Sequence, residues 1–386
     1  MEDSHSDDDS YRNDLNRGQY LSFIITVGTS STMSMIGSYY VLRLASRNLT
    51  LVYHRIISCI SVLDIILSAS NIVHLMLVPA DRTSNPFAFG NEVTCSMMGF
   101  ILNVVLVMIS FYSAFLAINF LLQVRYRWSN QDVATYIEPF FHIVTVGMSL
   151  PLPCLALHWH MMNPEILSGL CLMIEYPNGC DYDEDVECIS GGDIGGMLGI
   201  TTAAFVYTVG AVGFVCTYML YRTVKETMRK IQVYTTLSQQ LDQNQQKRIR
   251  RVSWQCTMYM SAYTNTIVWP AVHQIAGMFD VENRLGDPLP YMILLLPLFF
   301  FPLQGFLNLI VFITPRYQQW RKALPDASRV TILSNALSAE DPPTRRPQCA
   351  TVLLSSRSQQ PQSERSRQSI IQNTAQRPDG DGSQQC

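Results

Sequence analysis

The sequence predicts an all-α membrane protein, a bundle of seven transmembrane helices, and three observations lead to this prediction. Charged residues make up only 15% of the 386 residues, whereas soluble domains average about 25%. Seven apolar segments each reach the roughly 20 residues that a helix needs to cross a hydrocarbon core of about 30 Å. Lys and Arg concentrate in every second connection between these segments, which is typical of the loops of a multi-pass membrane protein.

The chain divides into four predicted regions, one of which, the bundle, contains all seven apolar segments. By residue number the segments are 20–44, 53–79, 95–124, 136–158, 193–221, 252–278 and 288–314. Runs of this length, seven in a row, are not a pattern of soluble proteins. We expect a short extracellular tail at 1–19, the bundle at 20–314, an amphipathic helix on the membrane surface at 315–324 and a disordered cytoplasmic tail at 325–386.

The basic residues also predict the orientation. The connection between residues 158 and 192 contains neither Lys nor Arg. The first connection contains Arg47 and is flanked by Arg43 and Arg55, and the connections after the third and fifth segments contain two and eight basic residues. Because cytoplasmic loops carry the excess of Lys and Arg, we expect the N-terminus outside and the C-terminus in the cytoplasm. We expect a multi-pass protein of the plasma membrane.

Four of the ten cysteines fall on the predicted outer side. They are Cys95, Cys171, Cys180 and Cys188, and an even number on the oxidising side predicts two disulfides with three connectivities open. We expect a Cys95–Cys188 bridge, which would hold the second outer loop over the bundle. Cys171 and Cys180 flank an Asn-Gly hairpin-turn signal, so the same interpretation pairs them with each other.

Polar residues on one face of the second segment predict a switch or a structural hub. Asp64, Asn71 and His74 share that helical face, and it must point into the bundle because lipid offers a carboxylate no partner. Ionisable residues at this depth are usually functional. Three functional interpretations of Asp64 stay open, namely a sodium site, a proton site and a water-mediated bridge between helices. A purely structural hydrogen-bond hub is equally compatible.

The sixth segment carries a predicted pivot. Asn265, Trp269 and His273 recur every four residues, and Pro270 removes a backbone hydrogen bond and should kink the helix. Several polar and aromatic residues in the outer halves of the segments are then expected to line one outward-opening ligand cavity. These residues are His74, Asn103, Thr201, Thr202, Trp269, His273 and Tyr291. Each of them alone is more often a packing residue than a ligand contact.

Several function classes are excluded or disfavoured by what the sequence lacks. No metalloprotease, nucleophile-elbow or Walker motif occurs, which argues against an enzyme. No segment carries a lysine, so a retinal Schiff base is excluded, and no set of converging ligands predicts a metal or another cofactor. The net charge of −3 gives no electrostatic support for binding nucleic acid.

The cytoplasmic side is predicted to contact anionic lipid or a partner protein. The candidate contact residues are Arg125, Arg222, Lys247, Arg248, Arg250 and Arg251. The tail contains basic serine motifs around Ser358 and Ser366, which are targets for a receptor kinase. Such short motifs are also common by chance.

One motif carries a family resemblance. Residues 302–312 read P-L-Q-G-F-L-N-L-I-V-F, which resembles the P-x-Q-G-F-x-N-x-x-V-[YF] element of seven-helix receptors related to the cyclic-AMP chemoattractant receptors and the secretin/adhesion receptors. Gln304, Gly305 and Asn308 match its core positions. Val124-Arg125-Tyr126 stands in place of the D-R-Y of rhodopsin-like receptors, and N-P-x-x-Y is missing, so the rhodopsin-like class is disfavoured.

The resemblance covers about residues 20–324 and implies a G-protein-coupled receptor of the cyclic-AMP-receptor-like class. Such a protein transmits an extracellular signal to a heterotrimeric G protein, and its ligand is not implied by the matched residues. Two alternatives of other classes stay open. One is a proton- or solute-coupled carrier that uses Asp64, and the other is a structural membrane protein with a degenerate receptor fold.

Overall fold

The computed structural model describes residues 17–82, 85–165, 170–177, 180, 187–234, 251, 253–265, 267–269, 271–272 and 288–338. Most of these residues are helical, as the sequence predicts. Helical residues occur within each of the seven predicted segments.

The first three segments form long helices: α1 at Arg17–Ala45, α2 at Val52–His74 and α3 at Glu92–Arg125. Helix α1 packs along α2, and α2 packs along α3. The start of α3 is fixed by a capping box. The Thr94 amide donates to Asn91 Oδ1 at 3.0 Å, and the Asn91 amide donates to Thr94 Oγ1 at 2.9 Å, which satisfies two amides that a helix start leaves unpaired.

The fourth segment is broken into pieces. Together with the residues just before it, it consists of α4 at Asn130–Asp132, a π-helical turn at Val133–Ile137, α5 at Glu138–Ser149 and α6 at Pro151–His158. The division between α5 and α6 falls just before a proline, which lacks the amide that would continue the hydrogen-bond ladder.

The remaining helices are α7 at Gly192–Tyr234, α8 with described helical residues 251, 253–265, 267–269 and 271–272, α9 at Pro288–Phe300 and α10 at Gln304–Ala323. The predicted seventh span is therefore two helices, separated by a turn at residues 301–303 that contains Pro302. Helix α1 contacts both α9 and α10.

Two predictions about the C-terminal region are wrong. Residues 315–324 are not a separate helix, because α10 continues through Pro315 to Ala323. Residues 325–338 are not disordered, because α11 forms at Arg329–Leu337 and packs on α10. Trp320 of α10 and Ile332 of α11 share one buried cluster. This packing stabilises α11, which the local helix propensity of the segment does not predict. Residues 339–386 lie outside the described part of the chain.

A short antiparallel hairpin covers one end of the bundle, called here the hairpin end. Strand β1 at Met162–Pro164 pairs with β2 at Cys171–Met173. The two predicted disulfides are confirmed, but the expected pairing is wrong. Cys95 pairs with Cys171, and Cys180 pairs with Cys188. The physical reason is the hairpin itself, since β2 places Cys171 against the start of α3.

Four described helical stretches are long and apolar enough to cross a membrane: Val52–His74, Glu92–Arg125, Asn130–His158 and Met197–Thr227. In the first two, 56% and 67% of the most apolar window is buried, whereas the last two bury only 22% and 28%. The fourth and fifth segments therefore turn broad apolar faces outward. Such faces are expected where a helix contacts lipid.

Candidate functional site

Three helices, α1, α2 and α10, meet at a buried carboxylate. The side chain of Asp64 is in α2, and the residue is only 1% exposed. Its Oδ2 accepts a hydrogen bond from Asn308 Nδ2 of α10 at 3.1 Å and one from Ser38 Oγ of α1 at 3.5 Å. Asp64 Oδ1 is buried without a hydrogen-bond partner in the described part of the chain. One carboxylate thus joins three helices, and we call this set the Asp64 junction.

Glycines allow α1 and α10 to approach closely at the Asp64 junction. A Cβ atom on Gly305 would lie 2.0 Å from Ser38 Oγ and 2.7 Å from the Ser34 carbonyl oxygen. A Cβ atom on Gly37 would lie 2.8 Å from the Gly305 carbonyl oxygen. The Gly305 amide donates to Ser34 Oγ at 3.0 Å. Small residues at a crossing let two backbones touch and form such bonds, so Gly305 has a defined packing role.

The other motif residue, Gln304, is also buried beside this crossing. Asn71 lies two turns along α2 from Asp64 and is buried, and its Nδ2 has no partner among the described residues. The structure therefore places Asp64, Asn71, Gln304, Gly305 and Asn308 inside the helix packing, as the sequence predicts for polar residues in apolar segments.

His74 fastens the hairpin to the end of α2. Its Nε2 accepts a hydrogen bond from the Cys171 backbone amide at 2.9 Å. In a neutral imidazole with an accepting Nε2, the proton is on Nδ1. The bond lies next to the Cys95–Cys171 disulfide, so a covalent and a polar attachment hold the same strand.

The other proposed cavity residues of the hairpin end are also engaged within the chain. Asn103 Nδ2 donates to the Gly99 carbonyl oxygen at 2.8 Å. Thr202 Oγ1 donates to the Leu198 carbonyl oxygen at 2.9 Å and lies 3.6 Å from Met173 Sδ. Three methionines of the hairpin region fill the space between α3, α6 and α7, namely Met161, Met162 and Met173. The structure brings His74 and Thr202 against the hairpin, whereas Asn103 bonds to Gly99, the α3 residue that lies against Cys171.

The remaining cavity candidates are separate from these three. Trp269 stacks on Phe300, with ring centroids 5.3 Å apart, and with Asn265 it lines a groove between α7 and α8. Thr201 is exposed on α7 and donates to the Met197 carbonyl oxygen. Pro270, His273 and the side chain of Tyr291 lie outside the described residues.

Opposite the hairpin end, α2 and α8 are joined by two tyrosines that the sequence analysis missed. The Tyr53 hydroxyl lies 2.8 Å from the Tyr259 hydroxyl. The Tyr53 ring also stacks on Phe312 of α10 at 6.3 Å and contacts Phe120 of α3 at 5.6 Å. We call this set the tyrosine contact. No sequence signal distinguishes it, because tyrosines at the ends of apolar segments are common membrane anchors.

A second missed network connects α2, α3 and α5. The Arg55 guanidinium pairs with the Glu138 carboxylate through two bonds of 2.7 and 2.5 Å. His142 lies one turn further along α5, at 3.7 Å from the same carboxylate. Its Nδ1 is 2.8 Å from the Tyr112 hydroxyl of α3. Arg55 is half-buried in this network.

The basic residues proposed as partner contacts lie at this same end, where they are described. Arg125 Nη1 donates to Thr223 Oγ1 at 3.1 Å. Arg222 pairs with Glu226 at 3.7 Å, and Arg222 and Arg251 are exposed. Lys247, Arg248 and Arg250 lie outside the described residues. The end that contains Arg125, Arg222 and Arg251 is called here the basic end.

The fold of the chain is G-protein-coupled-receptor-like. The crystal structure of squid rhodopsin superimposes with a TM-score of 0.57, covering 86% of this chain and 94% of rhodopsin, at 15% sequence identity. No protein-family model and no curated protein matches the sequence. The coarse prediction of a receptor-like membrane fold is therefore confirmed.

Proposed function

We propose that the protein is a G-protein-coupled receptor of the plasma membrane, with the hairpin end outside and the basic end in the cytoplasm. The observation that carries this proposal is the Asp64 junction within a receptor-like fold. It couples α1, α2 and α10 through a single carboxylate. In our proposal a signal favours a second arrangement of this junction, as a switch based on population shift requires.

The tyrosine contact supports the same proposal from the basic end. It holds α8 against α2, in a position where a G protein would need the helix ends to separate. In our mechanism a signal at the hairpin end favours the separated arrangement. The separated helix ends then form the surface on which the heterotrimeric G protein docks. Its proposed contacts there are Arg125, Arg222 and Arg251, together with Lys247, Arg248 and Arg250 of the preceding segment. The kinked pivot at Pro270 is part of this proposal.

The subtype is proposed on the motif at residues 302–312. Gln304, Gly305 and Asn308 are all buried where α10 crosses α1 or meets α2. Gly305 leaves no room for a Cβ atom, and Asn308 bonds to Asp64. This supports placing the receptor with the cyclic-AMP-receptor-like class rather than with rhodopsin, whose similarity to this chain concerns the fold. The proposal includes a receptor kinase acting on the tail and contacts between the basic end and anionic lipid.

The direct test is coupling to G proteins. Wild type and an Arg248/Arg250/Arg251→Ala variant are co-expressed with a panel of heterotrimeric G proteins, and nucleotide exchange is measured at matched surface expression. Basal exchange with one subtype, lost in the variant, supports the receptor and justifies a ligand screen that begins with cyclic nucleotides. No exchange with any subtype, under good surface expression, argues against it. A flux assay on wild type and Asp64→Asn then tests the carrier.

A further inference from the structure

A π-helical turn at Val133–Ile137 interrupts the fourth segment near the basic end. The Glu138 amide donates to the Val133 carbonyl oxygen, five residues earlier, whereas an α-helix uses the carbonyl oxygen four residues earlier. A π-helical turn accommodates one residue more than the α-helical turn that it replaces, and such turns recur at functional sites. The fourth segment therefore contains one residue more than a regular α-helix between the same two ends would need.

Both ends of this turn are bonded to the start of helix α2. Before the turn, Asn130 Oδ1 accepts a hydrogen bond from the Val52 amide at 2.9 Å, and Asn130 Nδ2 donates to the Thr50 carbonyl oxygen at 3.0 Å. Val52 is the first residue of α2, so its amide has no partner within that helix. After the turn, the Glu138 carboxylate accepts two hydrogen bonds from Arg55. One helix thus holds the turn on both sides.

The spacing of these two attachments explains the extra residue. Asn130 and Glu138 are eight positions apart, and in a regular α-helix side chains with this spacing point about 80° away from each other. Side chains seven positions apart would differ by only about 20°. Because the π-helical turn absorbs one residue, both side chains face α2. The same geometry leaves Val133 fully buried in the main hydrophobic core.

The five residues of the turn can also form an α-helix, because none of them is a proline. In that arrangement the residues before the turn rotate by about 100° relative to Glu138, so Asn130 leaves α2 and Val133 leaves the core. Pro139 opposes the α-helical arrangement, since its ring collides with the carbonyl group four residues earlier. Side-chain bonds, one buried valine and one proline therefore favour the π-helical arrangement, and each of them can be changed singly.

We propose that Val133–Ile137 is a register switch, whose conversion from the π-helical to the α-helical arrangement rotates the start of the fourth segment and detaches Asn130 from α2. Only residues 126–129 connect the end of α3 at Arg125 to Asn130, and two amides of this loop donate to the Leu122 carbonyl oxygen of α3. A displacement of the α3 end is therefore transmitted to the switch. This consequence for signalling rests on the proposed function, whereas the register switch itself does not.

Thiol labelling of a Val133→Cys variant tests the switch. The full chain is reconstituted in phosphatidylcholine vesicles, a membrane-permeant maleimide is added, and the labelling rate at position 133 is measured by mass spectrometry of its peptide. Asn130→Ala should raise this rate about tenfold, because two hydrogen bonds that exist only in the π-helical arrangement are lost. Gln131→Ala, at the exposed neighbouring position, is the matched control and should leave the rate unchanged.

A further variant distinguishes a change of register from fraying of the helix start. Deletion of Ala134 together with Pro139→Ala places Asn130 and Glu138 seven positions apart in an α-helix, so both still face α2. We call this the α-locked variant. It should keep wild-type surface expression and a slow labelling rate at position 133, even when Asn130→Ala is added. Deletion of Val144 in place of Ala134 should abolish surface expression, because it rotates one half of a regular helix against the other.

Several results would overturn the proposal. An unchanged labelling rate in Asn130→Ala would mean that the attachments to α2 do not hold the turn. An equal rise in the α-locked variant would mean that the helix start only frays. Loss of surface expression in both deletion variants would mean that the turn contains no extra residue. If Asn130→Ala does not fold, an unchanged rate in Pro139→Ala overturns the switch instead.

The consequence for signalling has its own measurement. Because the α-locked variant keeps Asn130 on α2, it should lower basal nucleotide exchange at matched surface expression, and wild-type exchange in this variant would separate the switch from signalling. Absence of exchange in the wild type bears on the receptor proposal alone, since the labelling rates still decide the switch.

Discussion

The hydroxyl oxygens of Tyr53 in α2 and Tyr259 in α8 lie 2.8 Å apart, which makes one hydrogen bond between two helices far apart in sequence. The Tyr259 ring is buried in the main hydrophobic core, and the Tyr53 ring packs against that core. A hydrogen bond between buried hydroxyls contributes about 1 kcal/mol and leaves an unsatisfied group when one partner is removed. The contact therefore favours the arrangement in which α8 stays against α2.

Tyr259→Phe should raise signalling in the absence of a ligand. If the separated arrangement activates the G protein, loss of about 1 kcal/mol from the packed arrangement raises its population about fivefold. Basal nucleotide exchange at matched surface expression measures this. Tyr136→Phe is the control, because Tyr136 is 71% exposed on the fourth segment. Wild-type basal exchange in both Tyr259→Phe and Tyr53→Phe would contradict the proposed role of the contact.

Gly305→Ala should destabilise the protein strongly. The added Cβ would lie 2.0 Å from Ser38 Oγ and 2.7 Å from the backbone oxygen of Ser34, so α1 and α10 must move apart, and overpacking of this kind costs about 1–3 kcal/mol. Thermal unfolding in detergent measures the loss. Ser38→Ala in the same protein should restore part of it by removing the nearer atom.

Gly147→Ala is the matched control for that experiment. Gly147 is also helical, and a Cβ atom added at this position would have no neighbouring atom within 4 Å among the described residues. Alanine there should be neutral or stabilise by about 0.5–1 kcal/mol, since glycine is the poorer helix former. Equal effects of alanine at Gly147 and Gly305 would show that the crossing of α1 and α10 is not as close as described.

The sequence predicts the helices well because each apolar segment is long enough to be recognised from its length and composition alone. It also predicts which polar residues are buried, since Asp64 and Asn308 both interrupt apolar segments. It does not predict their contact. The two residues are 244 positions apart, and helical periodicity shows which face of a helix is apolar but not which helix that face meets.

The sequence does not predict where the helices break or which cysteines pair. Pro151 begins α6 after the break and Pro302 lies in the turn at residues 301–303, yet Pro315 lies inside α10 without ending it. Tertiary packing decides among these outcomes. The disulfides show the same limit, because four cysteines allow three connectivities and only the pairing of β1 with β2 places Cys171 beside Cys95.

The two disulfides should differ in their effect on stability. Cys95–Cys171 closes a separation of 76 residues and Cys180–Cys188 one of 8. The chain-entropy relation then gives about 4.5 and about 2.5 kcal/mol for the two bridges. Cys171→Ser should therefore lower the unfolding temperature and surface expression more than Cys180→Ser. Peptide mapping without reduction checks the pairing first, and a Cys95–Cys188 peptide would contradict the structure.

The pairing of Arg55 with Glu138 predicts that replacing one partner lowers the free energy of unfolding more than replacing both. The Glu138 side chain is 8% exposed and the Arg55 side chain 30% exposed, so Glu138→Gln leaves a half-buried guanidinium without its counter-charge. Removing one partner of a fully buried pair costs about 3–5 kcal/mol. Because solvent reaches Arg55, we expect roughly 2 kcal/mol here.

Arg55→Met with Glu138→Leu should recover most of that loss, because an apolar pair of similar volume carries no unpaired charge into the bundle. Thermal unfolding of the wild type, Arg55→Met, Glu138→Leu and the double variant forms a double-mutant cycle. The cycle isolates the free energy of the interaction between the two side chains. His142→Phe serves as the comparison, since it removes the bond to the Tyr112 hydroxyl and leaves the ion pair in place. Additive losses in the cycle would mean that Arg55 and Glu138 act independently, and α2 and α5 would then be held together by apolar packing instead.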